Sequence, residues 1–505
     1  MDSTIKPTDT YTLRGAAIWM AVVLVLTGLG GLGVSEALEW DAAEQAIHSQ
    51  FLLMGYGPQP PLYDWLVWGF FALVGPSATV LVLLKAGLLW LIFLWAGLFF
   101  RSITQSEPLA VAGAMSVFLP AQLMWEAQRN LSHTVLAVMF AALFFYWVFR
   151  LVRDKNPDQS LFAYAILGLV ITGGLLSKYN MAAVFVFTFI SVLAVPTLRS
   201  RLRITGVVLA VLIPLVVCSP HAAWAMEYLP EISEAMRSKF SLAAAQEQGP
   251  VGLRVLGIKE FVLGVLGYVA LPLLVWGGLI IWCRRRTVRL GLNEPGTSIE
   301  LPKDFYRFVR AGRVYLVLFM LMGLGMTVFG QVSQFRDRWF TPFLFLLPGV
   351  VMVLWLARYP QGVSPFFRVG QVLLVVAGVG LAARVPLAGW MGAPGYANRP
   401  IQQVAEHINA ATPKGTLVVA QDIRLLGSLR FYLEDRPVML TPRFLNSPVR
   451  PVCHLLLIDP TEAARIGRVP DHEAPIGSEA WSWQGQMRFS TVPYFLTGNL
   501  FDLGC

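Results

Sequence analysis

The chain has 505 residues, of which 56% are hydrophobic and only 14% are charged, and its mean hydropathy is +0.61. Because a water-soluble protein cannot bury that much apolar surface, the composition predicts a chain that lies largely in a lipid bilayer. The formal net charge of +9 comes with short basic clusters between apolar runs, a pattern typical of membrane topology signals and of attraction to anionic lipids. Nucleic acid is therefore not an expected partner.

Apolar runs long enough to cross a hydrocarbon core roughly 30 Å thick recur along the first three quarters of the chain. About eleven are predicted, near residues 15–34, 79–100, 108–122, 133–150, 160–177, 180–197, 204–219, 261–283, 313–329, 341–357 and 367–387. The first run lacks a small-residue cleavage site, so it is predicted to be a retained anchor.

The basic clusters predict the orientation, because Lys and Arg are held on the cytoplasmic side during insertion. They lie near residues 101, 150–155, 199–203, 284–286 and 358, which share one side of the membrane if eleven runs span it. The N-terminus is then cytoplasmic, and residues 388–505 lie outside.

The first predicted outer loop is rich in carboxylates. It begins "SEALEWDAAEQAIHSQ" at residue 35 and breaks at "GYGPQPP" before a second apolar segment. Helical spacing places Asp41, Glu44 and His48 on one face, and the opposite, apolar face carries Ala43, Ile47, Phe51 and Met54. The spacing fits a surface helix with a wetted polar face, and it also leaves open a metal site made of carboxylates and the histidine.

The last part of the chain has a different pattern. "GTLVVAQ" (415–421) and "VCHLLLID" (452–459) predict short buried strands, and "IQQVAEHINAA" and "RLLGSLRFYL" predict helices. We therefore expect a membrane domain over 1–387 and a small extracytoplasmic α/β domain over 388–505. Cys453 and Cys505 share that domain, and their pairing stays open, whereas Cys218 and Cys283 are predicted on opposite faces of the membrane.

Several segments together resemble the C-type (GT-C) glycosyltransferases. These segments are "WDAAEQAIHSQFLLMGYGPQPPLYDWL", "WEAQRNLSHTVLA", "GLLSKYN", "RDRWFTPFLFLLP" and "LRFYLEDRPV", which occur in the family's order from end to end of the chain. The branch that they resemble contains protein O-mannosyltransferases and the aminoarabinose and galacturonic acid transferases of lipid A and lipopolysaccharide core. The resemblance implies a polytopic enzyme of the bacterial inner membrane with its chemistry on the periplasmic side.

What the resemblance implies is an inverting transfer of a sugar from a polyprenyl-phosphate carrier to an acceptor hydroxyl. Asp41 would be the general base, with Glu44 orienting the acceptor. Cations near the outer surface would bind the donor phosphate. The candidates are Lys178, Arg336, Arg338, Lys85 and Arg129. Candidate substrate-binding residues are Trp40, His48, Gln59, Tyr63 and His133.

The chain departs from the branch at two places. Asp41 is followed by Ala42 where relatives commonly have Asp-Glu, and residues 129–133 read Arg-Asn-Leu-Ser-His where relatives often carry an acid. We therefore expect no obligatory metal and no other obligatory cofactor.

The expected acceptor is a glycolipid such as lipid A or lipopolysaccharide core, and galacturonic acid is the favoured sugar. Protein hydroxyls as acceptors, a lipid-linked sugar transporter or flippase, and an inactive scaffold remain alternatives. A transporter would place its charges near mid-membrane, whereas here they gather at the predicted outer interface, with Lys85 inside the second run as the exception.

Overall fold

The computed structural model describes residues 12–153, 160–240, 249–289, 298–329, 332–433, 435–440, 453–459 and 478–502. Most of this part of the chain is helical. The α-helices are Leu13–Val34, Trp40–His48, Leu62–Val74, Ala78–Thr104, Glu107–Val117, Ala127–Arg129, Ser132–Val152, Leu161–Ser177, Met181–Ala194, Pro196–Arg199, Ile204–Val217, Ser219–Glu227, Leu229–Phe240, Gly249–Arg289, Lys303–Val328, Thr341–Leu344, Leu347–Arg358, Val363–Trp390, Ile401–Ala411 and Ile423–Leu429.

Among the residues described, seven helices are long and apolar enough to cross a membrane, and two bent pairs raise the number to at most nine. The two pairs are bent by 78° and 48°. Pro120 lies in the break of the first pair and Pro220 near the start of the second helix of the other pair, and proline lacks a backbone N–H for helical hydrogen bonding. Each of the eleven predicted runs overlaps a helix, but the runs at 160–177 and 180–197 correspond to helices of only 17 and 14 residues. The polytopic helical class is confirmed, and the count of eleven spans is not.

The chain divides into two compact units. The first contains residues 53–63 and 86–375 together with the N-terminal part up to residue 24, and the second contains 25–52, 64–85 and 376–505. The second unit thus combines the first loop with the C-terminal region. These limits differ from the domains 1–387 and 388–505 proposed from the sequence, and that division stays a prediction.

The C-terminal region of the second unit contains a five-stranded mixed sheet in the order β2-β1-β3-β5-β4. Its strands are β1 (Leu417–Ala420), β2 (Val438–Leu440), β3 (His454–Asp459), β4 (Ser478–Gln486) and β5 (Pro493–Asp502). β1 pairs in parallel with β2 and β3, while β5 runs antiparallel to both β3 and β4. The predicted α/β domain is confirmed, and the hairpin of β4 and β5 was not predicted. The pairing of Cys453 with Cys505, which the sequence left open, involves Cys505, which lies outside the described residues.

Side chains alternate between the two faces of the sheet, as the two-residue period of a strand requires. Val418 and Leu456 face a core that includes Ile401 and Leu425 of the two C-terminal helices. The other face carries Leu417, Val419 and Met439, against which Phe51 of the first loop packs.

The helix Trp40–His48, here called the acidic helix, packs on this domain. Ile47 belongs to the same buried core as the two C-terminal helices. The approach is close, because a Cβ added to Gly427 would lie 2.4 Å from the carbonyl oxygen of Ala43. The apolar face that helical spacing predicted is therefore real, but its partner is a segment more than 350 residues away in the chain, which local periodicity cannot reveal.

Candidate active site

The acidic helix fixes the position of Asp41, which lies in its first turn. The helix is nine residues long and ends at His48, so the predicted continuation of its apolar face through Phe51 and Met54 lies beyond the helix. Asp41 and Glu44 are partly exposed and one turn apart. In the described part of the chain, the carboxylate of Glu44 forms neither a hydrogen bond nor an ion pair.

Lys85 provides a buried positive charge next to this helix. It lies in Ala78–Thr104, its side chain is only 7% exposed, and it interacts electrostatically with Asp41 and Glu39. A cation this deep in an apolar segment is costly unless carboxylates or a ligand compensate its charge. Of the five cations predicted to bind donor phosphate, Lys85 is the one that shares a compact unit with Asp41.

The other two carboxylates of the loop have structural partners. Glu39 pairs with Arg384 and accepts a hydrogen bond from the hydroxyl of Tyr396. Glu36 pairs with Arg488 at 3.3 Å and accepts a hydrogen bond of 2.9 Å from the backbone N–H of Gln402. These two acids connect the loop to the C-terminal region, and Glu39 shares with Asp41 an electrostatic interaction with Lys85. Glu36 and Glu39 therefore have structural partners in the C-terminal region, and Lys85 is a common electrostatic partner of Glu39 and Asp41.

His48 forms a buried pair with Asp64, a residue that the sequence analysis missed. The imidazole Nδ1 is 2.9 Å from the Asp64 carboxylate, and the two side chains are 8% and 1% exposed. Asp64 lies in the first turn of Leu62–Val74, so the pair connects that helix to the acidic helix. The signal available in the sequence was a carboxylate at the start of an otherwise apolar helix, which requires a partner. His48 is thus buried, although helical spacing placed it on the polar face.

A second ion pair positions the short helix Ile423–Leu429. Asp422 accepts hydrogen bonds from the backbone N–H groups of Arg424 and Leu425 and pairs with Arg399 at 2.6 Å. Burial raises the pKa of Asp422, but the charge and hydrogen bond of Arg399 and the two amides lower it more, so its pKa lies below the ordinary value. Burial also raises the pKa of Tyr494, whose ring lies 5.7 Å from the Arg399 guanidinium, to about 12.

Replacing Asp422 with asparagine should destabilise this domain by about 2–4 kcal/mol, because the variant loses a largely buried pair and weakens a helix cap. Since the folded-state pKa is lowered, the contribution is present above the unfolded pKa of about 3.9 and is lost as pH falls through the folded value. The thermal unfolding midpoint of wild type should therefore exceed that of the variant at neutral pH, and the difference should shrink as pH falls below about 3.9. Glu406 is exposed, so Glu406→Gln is the control. If both changes lowered the unfolding midpoint equally, the structural role of Asp422 would be contradicted.

The first unit brings three further candidates together. The ammonium of Lys178 donates a hydrogen bond of 2.6 Å to the hydroxyl of Thr134. The neighbouring His133 lies with its ring centre 5.6 Å from that of Tyr63. Lys178 and Tyr63 thus both contact residues in the first turn of Ser132–Val152.

The remaining candidates lie elsewhere in the first unit. Arg129 pairs with Glu126 at 3.5 Å, and Gln59 is partly exposed in the proline-rich loop. Arg336 is exposed, and its pKa is lowered by partial burial and by the charge of Arg338. In the residues described, neither of these two guanidinium groups has a carboxylate partner. Their assignment to the donor phosphate stays a prediction.

Across the described residues, no group of three or more His, Cys, Asp or Glu side chains is arranged to hold a metal ion. In particular, His48 of the acidic helix pairs with the buried Asp64 of the next helix. A metal requirement therefore stays a question for experiment.

Comparison with known proteins identifies the family. Lipopolysaccharide core galacturonosyltransferase RgtA from Rhizobium johnstonii is 30% identical over 442 residues, which cover 85% of this chain and 83% of that protein. The chain therefore belongs to the family of the lipopolysaccharide core galacturonosyltransferases. A second member from the same organism, RgtB, is 29% identical over 81% of this chain and 79% of its own length.

Two further similarities accompany this family assignment. Residues 58–224 match the family described as Dolichyl-phosphate-mannose-protein mannosyltransferase. A crystal structure of ArnT from Cupriavidus metallidurans bound to undecaprenyl phosphate is 17% identical, covers 95% of this chain and 97% of its own, and has a TM-score of 0.42. As a member of the galacturonosyltransferase family, the chain is a multi-pass bacterial membrane glycosyltransferase of the GT-C class, and the resemblance stated from the sequence is confirmed.

Proposed function

We propose that this glycosyltransferase transfers galacturonic acid from a polyprenyl-phosphate carrier to the lipopolysaccharide core or lipid A at the extracytoplasmic face of the inner membrane. The observation that carries the proposal is Asp41 beside the buried cation of Lys85. The names of two relatives support the sugar and the acceptor. The family matched over residues 58–224, whose description names dolichyl-phosphate mannose, supports a lipid-phosphate donor.

The proposed reaction is a single inverting displacement. An acceptor hydroxyl attacks the anomeric carbon, its oxygen forms the new glycosidic bond, and Asp41 takes the hydroxyl proton. The bond between the anomeric carbon and the phosphate oxygen breaks, and its electron pair leaves with polyprenyl phosphate. Lys85 stabilises the negative charge that develops on that phosphate, and the apolar surroundings strengthen the interaction.

The topology of the proposal follows from the basic clusters. A cytoplasmic N-terminus would place the acidic helix and the C-terminal domain in the periplasm. Polyprenyl-phosphate sugars are anchored by their lipid tails, so their phosphate lies at the membrane surface, where a loop between two spans reaches it.

Purified full-length protein in proteoliposomes, supplied with synthetic polyprenyl-phosphate galacturonic acid and a lipopolysaccharide core glycolipid, should add one hexuronic acid to the glycolipid and release polyprenyl phosphate. Product analysis by mass spectrometry measures the sugar, and NMR of the anomeric proton measures the inversion. Polyprenyl-phosphate galactose and a nucleotide-linked galacturonic acid serve as alternative donors. Transfer from the nucleotide sugar without the lipid donor would contradict the proposal.

Proteins are the second candidate acceptor, because the matched family description names protein mannosylation. A serine- and threonine-rich peptide in the same assay separates the two acceptors. Glycosylation of the peptide, with none of the glycolipid, would replace the proposed acceptor.

A further inference from the structure

Arg424 has an unusual environment for a partly buried arginine. Its guanidinium carbon lies 4.0 Å from the ring centre of Tyr396 and 5.6 Å from that of Trp40. Within the described residues it has no carboxylate partner, and its Nε is buried without a hydrogen bond. A guanidinium that lies over two aromatic rings is held in orientation by cation–π attraction, which leaves its terminal N–H groups able to donate.

Three arginines of the same unit show the contrast, whereas Arg430 resembles Arg424 in having an Nε that is buried without a hydrogen bond. Arg384 pairs with Glu39, Arg399 with Asp422, and Arg488 with Glu36. Each of these pairs connects two segments of the unit and neutralises its own charge. Arg424 contacts two segments as well, through aromatic rings, but its positive charge is not neutralised by an acid in this part of the chain. This positive charge is available to an anionic ligand.

Trp40 gives the same location an exposed flat surface. Its side chain is 51% exposed, although the acidic helix that it begins is otherwise partly or fully buried. An exposed indole beside a cation matches the chemistry of a hexuronic acid, whose C–H face stacks on an aromatic ring and whose carboxylate accepts paired hydrogen bonds from a guanidinium.

The location also adjoins the proposed reaction centre. Trp40 directly precedes Asp41, and Tyr396, which stacks on Arg424, donates a hydrogen bond to Glu39. Glu39 and Asp41 both interact with Lys85. A sugar held on Trp40 would therefore lie next to the carboxylate proposed as the base.

We propose that Arg424 and Trp40 form the subsite that recognises the carboxylate of the transferred hexuronic acid, so that the C-terminal region selects the sugar. This proposal rests on the proposed function, because it assumes a uronic acid donor. It assigns sugar selection to a helix, Ile423–Leu429, that the sequence analysis did not connect with substrate.

The test compares two lipid donors that differ only at C6, polyprenyl-phosphate galacturonic acid and polyprenyl-phosphate galactose. The variant Arg424→Gln should lower kcat/KM for the uronic donor on the order of 10²-fold, because a charge-assisted pair is lost, and change the value for the neutral donor by less than about threefold. Arg424→Lys, which keeps the charge but loses the fork, should give an intermediate loss. Arg430→Gln, a cation at the end of the same helix, is the matched control and should leave the preference for the uronic donor unchanged.

An equal loss with both donors, together with a lower thermal unfolding midpoint, would overturn the proposal and make Arg424 a structural contact between the acidic helix and the domain. Non-transferable phosphonate analogues of the two donors separate this failure from failure of the proposed function. If wild type transfers neither sugar but is stabilised more by the uronic analogue, and Arg424→Gln loses that difference, the subsite stands while the reaction does not. Equal stabilisation of wild type by both analogues would overturn the subsite.

Discussion

The variant Asp41→Asn should lose about 10²–10⁴-fold in kcat while its thermal unfolding midpoint stays within a few degrees of wild type. Asparagine preserves the shape of the side chain but cannot accept the hydroxyl proton at neutral pH. Asp41 is partly exposed in the first turn of a nine-residue helix, and Glu39 remains to compensate the charge of Lys85, so we expect the fold to tolerate the change. The rate is measured in single turnovers with saturating donor, so that a change in binding does not enter.

Glu39→Gln is the matched comparison, because it neutralises a carboxylate two residues away that also interacts with Lys85. Glu39 holds Arg384 and Tyr396, so this variant should lower the unfolding midpoint, because an ion pair that is largely buried is broken. Loss of the general base should therefore lower the rate with little change in the unfolding midpoint, whereas loss of the structural acid should lower the unfolding midpoint. If Asp41→Asn transfers sugar at the wild-type rate, Asp41 is not the general base. If both variants lower the unfolding midpoint equally, Asp41 is a second structural acid.

Much of the fold could be predicted from the sequence because its signals are local. Apolar runs, the two buried strands "GTLVVAQ" and "VCHLLLID", and the helix "IQQVAEHINAA" each follow from hydrophobic periodicity within a short window. The helix predicted over 401–411 matches the structure in both limits. The hairpin of β4 and β5 was missed because its first strand is largely polar, with alternation weakened by Gly485.

For the candidate site, the sequence could indicate individual residues but not the contacts between distant segments. The family resemblance named Asp41, and Lys85 was named as a charge inside an apolar run, but the roles of Glu36 and Glu39 depend on contacts with residues more than 340 positions away. No periodicity in either segment indicates that contact. The same limit concealed Arg424, whose aromatic partners come from two separate parts of the chain.

The variant Lys85→Met should lower kcat/KM for the lipid donor by about 10²–10³-fold, because it removes a cation proposed to stabilise the departing phosphate. Methionine fills a similar volume in this apolar helix, so the packing of Ala78–Thr104 should persist. The deciding measurement is the affinity of the protein for polyprenyl phosphate, the leaving product, which the variant should bind more weakly. This affinity distinguishes a Lys85 that binds the phosphate from a Lys85 that only stabilises the fold.

Arg101→Gln is the control in the same helix, since Arg101 is 57% exposed and pairs with Glu107 at the helix end. It should change neither the affinity for polyprenyl phosphate nor the rate by more than about twofold, as expected for an exposed ion pair. If Lys85 serves only to neutralise Asp41 and Glu39, Lys85→Met will lower the unfolding midpoint and leave the affinity for polyprenyl phosphate unchanged. That result would exclude Lys85 from the proposed leaving-group role.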